Sequence, residues 1–326
     1  MENDELELLD KSVRHALTEP DTDEALGALG WREVLAAEPR AAVSVVFTAL
    51  GELDANAACL SDVMLDALGD GPGDGLGDGI DAAASAIALP TFSGWEPPGT
   101  VTRGALTLAG LGQLGRAPRT AVVVPARDGD DLVVVTVAPD AITRTPVHGL
   151  DPALGLTRLD GTALEADSIR PLDPELWEAS LAAGRRALAT ELVAAGRTML
   201  RLALEHARDR HQFGRPIAQF QAVRHRLAEA YVALEAADAA VISSWDAPGP
   251  LTALLAKSLA GRAGRVATTH SQQVLAGIGF TTDHPLHLYV KRAAMLDGLL
   301  GSSFTLPRHL GATLLATRTA PRVLDL

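Results

Sequence analysis

The chain has 326 residues, of which 47% are hydrophobic and 21% charged, and a formal net charge of −13; that length can bury cores for two or three lobes. Its single cysteine, Cys59, excludes an intrachain disulfide and a Cys-rich metal site and fits a reducing cytoplasm. Up to Asp81 there are 19 Asp/Glu against 4 Lys/Arg, an acidic front that repels nucleic acid and membrane surfaces, and neither a basic export signal nor an apolar run of the roughly 20 residues a spanning helix needs is present.

From Glu5 to about Leu68 the apolar spacing predicts helices. Leu6, Leu9, Val13 and Leu17 recur at intervals of three and four, and Pro20 ends this first helix. Trp31, Val34 and Leu35 open a second apolar group, and residues 41–50 with Leu53 read as a buried helix. Residues 69–79, GDGPGDGLGDG, offer little to pack and little backbone restraint, so they read as a surface linker rather than as one copy of a calcium-binding repeat. From Pro90 to Leu172 the period changes. Residues 106–108, 121–124 and 132–137 are apolar or β-branched runs, residues 127–131 form a hairpin turn, and Ile142, Val147, Leu156 and Leu159 continue the pattern.

Asp173 and Pro174 are an N-cap and a first-turn proline for a long helix with the stripe Leu181, Leu188, Leu192, Met199 and Leu202, ending near Arg208. A second follows Pro216, with Phe220, Val223, Leu227, Tyr231, Leu234 and Val241 spaced as a bundle seam. Residues 246–250 end it; a third helix spans about 251–275 and a fourth about 286–300, after a Gly-Ile-Gly turn at 277–279. The expected fold is mainly α with a β domain: an N-terminal helical lobe (1–89), an antiparallel β-barrel (90–172) and a four-helix bundle (173–326). Nine Arg lie between Arg185 and Arg226 against Glu191, Glu205 and Asp209, so the turn between the first two bundle helices calls for an anionic partner.

Residues 208–217, RDRHQFGRPI, with Phe220 and Gln221, followed by 273–280, QVLAGIGF, and 283–289, DHPLHLY, resemble the signature of the acyl-CoA dehydrogenase family. The resemblance implies FAD, tetramers built on the bundle, and α,β-dehydrogenation of an acyl-CoA thioester. It assigns Arg210 to the FAD diphosphate of a neighbouring subunit, Gln212, Phe213 and Gln221 to positions lining the nucleotide, and Gln273, Gly277 and Gly279 to a turn approaching the same cofactor. A guanidinium offers paired donors to phosphate oxygens, and glycines let backbone N–H groups come close. An ion pair of Arg210 with Asp209 or Glu205 is the competing reading.

The departures concern the base. The family removes an α-proton with a Glu before a Gly-Thr pair, where this chain has Leu300, or with a Glu early in the first bundle helix, where it has Gly184. Loss of a general base costs roughly 10²- to 10⁴-fold in rate. Residues 88–95, ALPTFSGW, replace the family's flavin-ring segment, and Leu275 and Ala276 stand where His and Gly are common. The chain therefore resembles the short subunit of the heterotetrameric acyl-CoA dehydrogenases of actinobacteria that act on steroid side-chain CoA esters, with a longer partner supplying the base. Two alternatives stay open: an autonomous flavoenzyme using Asp283, which also reads as an N-cap for the helix at Leu286, and a noncatalytic scaffold. His284 and His287, one turn apart, read as solvated or phosphate-facing, and nothing suggests a metal site.

Overall fold

The structure, a computed structural model, describes residues 3–69, 84–115 and 119–319. Five helices come first: α1 (Asn3–Ala16), α2 (Thr22–Ala28), α3 (Trp31–Ala37), α4 (Pro39–Leu53) and α5 (Cys59–Gly69). The first helix ends a turn before Pro20, and the Asp21 side chain caps α2 by accepting from Glu24 N at 3.1 Å. Inward-facing Val43, Val46, Phe47 and Leu50 of α4, with Leu60, Met64 and Leu68 of α5, form the lobe's core. The Gly/Asp-rich stretch lies outside the described residues from position 70 onward.

Eight strands follow: β1 (Ser85–Ile87), β2 (Gly99–Thr102), β3 (Ala105–Gln113), β4 (Ala121–Asp128), β5 (Asp131–Val137), β6 (Thr143–Pro146), β7 (Leu156–Leu164) and β8 (Ser168–Pro171). Their order is β6-β7-β3-β2-β4-β5-β8, with β1 beside β4. Pairing is antiparallel except that β1 and β2 both run parallel to β4. The second of these follows from the β2–β3 hairpin, which turns the chain back so that β4 must run as β2 does. The first strand, at 85–87, also begins the sheet ahead of the expected boundary at residue 90. The continuous apolar runs of β4 and β5 have two destinations. Val122, Val124, Val133 and Val135 face the sheet's own core, whereas Val123 and Val134 face the helical core, as the two-residue period of a strand buried on both faces requires.

The bundle is built on α6 (Pro174–Asp209), a 36-residue helix whose N-cap Asp173 accepts from Glu175 N at 2.9 Å. A short hairpin, β9 (His211–Gln212) and β10 (Arg215–Pro216), leads to α7 (Gln221–Asp246), α8 (Pro250–Leu275), α9 (Leu286–Asp297) and α10 (Thr305–Thr317). The fourth bundle helix thus ends at Asp297, short of position 300, because Leu300 and Gly301 take positive φ of 54° and 92°. A further helix, α10, was not visible in the apolar period, since it buries only Leu306. Between α7 and α8 an outward trough of about 680 Å³ is lined by Val232, Ala236, Leu259 and Val266 with Arg262 and His270. No helix among the described residues is long and apolar enough to cross a membrane.

Candidate functional site

The two sequence landmarks meet at one end of the bundle. Arg210 is the C-cap of α6, its N–H donating to His206 O. The imidazolium of His206 is disfavoured first by partial burial and then by His284 and Arg210, which places the α8–α9 turn beside the end of α6. Arg210 is exposed and, among the described residues, has no ion-pair partner, since Glu205 pairs with Arg201 at 2.9 Å instead. The competing reading of a local ion pair is therefore not realised, and the guanidinium is free to meet an external anion.

The hairpin beside it turns on Phe213 and Gly214, both at positive φ (53° and 78°), the geometry of a type I′ turn. Glycine adopts it freely, whereas a bulky residue there is strained. Phe213 nevertheless takes it and stands 91% exposed, 6.1 Å edge-on from the Phe220 ring, over which the Arg215 guanidinium lies at 4.5 Å. Gln212 and Gln221 are exposed on the same hairpin and at the first turn of α7.

At the end of α8 the chain passes through a 3₁₀ turn, Ala276–Phe280. Gln273, Ala276 and Gly277 are exposed, and Gly279 is buried with room for no side chain, a Cβ there lying 2.9 Å from Leu275 Cβ. Ala276 holds φ 54° and ψ −135°, a conformation suited to glycine. Asp283 is exposed and does not cap α9. That helix starts after Pro285, and the Leu286 N–H is taken by His284 Nδ1 at 3.1 Å, because the imidazole one residue closer reaches it first. His284 and His287 are partly buried and bonded to each other, His287 Nδ1 donating to His284 O at 2.8 Å, so they do not face solvent as free side chains.

The two positions assigned to a base adjoin one another deep between the lobes. A Cβ on Gly184 would lie 2.6 Å from Leu300 Cδ1 and 3.0 Å from Met64 Cγ, so the Leu300 side chain fills the space a carboxylate would need. Buried cations hold the loop that carries it, a feature missed in the sequence. Arg185 Nε donates to Leu300 O at 3.1 Å, and Lys257 Nζ donates to Asp297 O and Gly301 O at 3.0 and 3.1 Å. Burial draws Lys257 down to about 8 and Arg185 to about 10. One and two turns along the same face of α6, Leu188 and Glu191 line a residual cavity of about 10 Å³ with Leu299 and Gln113, at most room for a single water. Glu191 is the carboxylate most perturbed by burial, raised to about 7, but it is sealed and paired with Arg292.

The residues that would receive a flavin ring within this chain do not fit one. Phe92 packs on Gly298, Ser93 N donates to Gly298 O at 2.6 Å, and the Trp95 ring lies tilted against His309 at 4.7 Å. The segment 88–95 is thus closed down on the α9–α10 loop. Arg210 and the hairpin differ, for they are exposed and fit an external anion such as a diphosphate. No group of three or more His, Cys, Asp or Glu side chains among the described residues could hold a metal ion.

A helical lobe, a sheet and a long-helix bundle, with a cationic corner beside a glycine turn, define the class of the acyl-CoA dehydrogenase fold. Residues 175–314, less than half of the chain, match the family "Acyl-CoA dehydrogenase, C-terminal domain", and over this segment the chain is similar to that domain. Acyl-CoA dehydrogenase IpdE2 of Mycobacterium tuberculosis is 37% identical over 184 residues, 55% of this chain and 56% of that protein, so the chain spans about half the length of the curated relative it matches. A chain of the ChsE4–ChsE5 complex from Mycobacterium tuberculosis superposes with a TM-score of 0.75 over 97% of this chain and 98% of that one, at 24% identity. A chain of the Tcur3481–Tcur3483 steroid ACAD superposes at 0.76, over 97% and 99%, at 22% identity. Identities this low bear on the fold alone.

Proposed function

We propose that this chain is one subunit of a heteromeric FAD-dependent acyl-CoA dehydrogenase, contributing to a cofactor site shared with a longer partner that supplies the base. The observation that carries this reading is the mutual filling of the Gly184 and Leu300 positions, which leaves no room for a carboxylate side chain at Gly184. The unpaired Arg210 supports the other half. Its paired N–H donors would hold the FAD diphosphate, with Gln212, Phe213 and Gln221 along the nucleotide and Gln273, Gly277 and Gly279 bringing the α8–α9 turn up to it. FAD, when bound, supplies the acceptor for the hydride leaving the β-carbon of the CoA thioester. The apolar α7–α8 trough is the face on which the partner's bundle would pack, consistent with a heterotetramer. The substrate class favoured, a steroid side-chain acyl-CoA, rests on the resemblance of the sequence to the short subunits of steroid-type acyl-CoA dehydrogenases; the fold shared with a steroid ACAD and with a chain of the ChsE4–ChsE5 complex is compatible with it.

Co-expression with a longer dehydrogenase-like chain, to be sought among the adjacent genes, tests this. One FAD per two chains, with turnover only in the mixed assembly, is the expected result; stoichiometric FAD and enzyme-like oxidation of an acyl-CoA by the isolated chain would overturn it. The autonomous alternative rests on Asp283, which is exposed at the cofactor end of the bundle rather than beside Gly184. Unchanged turnover of Asp283→Asn removes that alternative.

A further inference from the structure

Arg292 of α9 is fully buried and carries more negative charge around it than it can neutralise. Its Nε donates to Asp151 Oδ2 at 2.7 Å, and its Nη1 donates to Glu191 Oε1 at 3.2 Å and to Ala55 O at 2.6 Å. Asp54 Oδ1 lies 3.4 Å from Nη2 without hydrogen-bond geometry and, though buried, has no other donor. Three carboxylates therefore converge on one guanidinium. They come from different lobes: Asp54 and Ala55 from the end of α4, Asp151 from the β6–β7 loop, Glu191 from α6 and Arg292 from α9. Few other side chains can balance them. Lys291 and His287 act on Asp54 from one side, Arg14 is engaged by Asp10 and Glu52, and Arg201 by Glu205. On α5, Asp62 is held by Trp31 and Arg32.

We propose that the Arg292 cluster is a proton-controlled latch between the three lobes, closed when one of its carboxylic acids is protonated and loosened when all three ionise. With one proton held, the cluster carries a single excess negative charge shared among close donors. With none, two uncompensated charges are confined where little water reaches, and burial makes that arrangement costly. Glu191 is the member that keeps the proton, because it is the most deeply buried and meets Arg292 through a single bond of 3.2 Å. The latch lines the small space behind Leu188 and Leu299, so its release would loosen the junction on which the start of the α9–α10 loop rests. This inference concerns the chain's own packing and stands whether or not a partner shares the cofactor site.

Hydrogen exchange of the full chain between pH 5 and pH 8, corrected for intrinsic rates, tests it on residues 51–57 and 150–155. A group whose folded pKa is raised holds a proton that the open form sheds, so protection is greatest at low pH and falls as pH rises. The expected fall is on the order of fifty-fold across this range, and Glu191→Gln should abolish it while raising protection at pH 8. If Glu191→Gln does not fold, Asp54→Asn serves, since asparagine tolerates the positive φ of 52° at that position and one less charge should shrink the fall. A pH profile in either variant equal to that of the unaltered chain would overturn the proposal.

Discussion

Gly184 and Leu300 compete for one volume: a Cβ on the first would sit 2.6 Å from Cδ1 of the second. The pair is therefore coupled, and each residue is what it is because of the other. Gly184→Ala should destabilise the chain by about 1–3 kcal/mol through overpacking. In the double variant with Leu300→Ala the combined loss should fall short of the sum of the two single losses by about 1 kcal/mol or more, read from urea midpoints. Strict additivity would show that the contact is absent.

Arg210→Ala should weaken FAD binding by the mixed assembly at least tenfold, as loss of a charge-assisted pair to phosphate requires, about 1.5–3 kcal/mol. The urea midpoint of the isolated chain should hardly move, because the side chain is exposed and has no ion-pair partner among the described residues. FAD content indifferent to the substitution would instead favour a scaffold without a share in the cofactor.

Ala276 adopts a backbone conformation that L-residues avoid. Replacing it by glycine relieves the strain, and the gain should be about 1 kcal/mol after the larger backbone entropy of glycine is counted. Thermal unfolding of Ala276→Gly checks this; a lower midpoint would mean that the Ala276 methyl packs more than its exposed position suggests.

Lys257 sets a pH dependence of its own. Its amine is lowered by burial from 10.5 to about 8, so between those values the unfolded chain keeps a proton the folded chain has shed. Folding stability should then rise with pH across this window, by up to about 3 kcal/mol. Urea unfolding from pH 7.5 to 10.5 should show this rise in the unaltered chain and a flatter profile in Lys257→Met.

Much of the architecture was written in spacing. The stripe from Leu181 to Leu202 marks α6, and the runs of valine mark β4 and β5, because burial repeats with the period of the element. The cationic corner was legible for another reason, since Arg210 and the Gly-Ile-Gly turn are short local patterns. What spacing cannot carry is the meeting of distant side chains. Nothing distinguishes Arg292 from its neighbour Lys291 in the sequence, yet one is fully buried among three carboxylates and the other is only half-buried. Lys257 likewise sits in an unremarked helical stretch, and its role depends on a loop 40 residues on. Asp283 looked like a helix cap because it stands at the right distance, but His284 reaches the free N–H first.

The closed space between Leu188 and Leu299 also sets how this chain answers compression. Hydrostatic pressure favours unfolding in proportion to the internal void that unfolding eliminates. With that space reduced to about 10 Å³, little volume is released there when the chain opens. In an assembly whose other subunit keeps an empty acyl cavity, rising pressure should therefore unfold the open subunit first and leave this one standing.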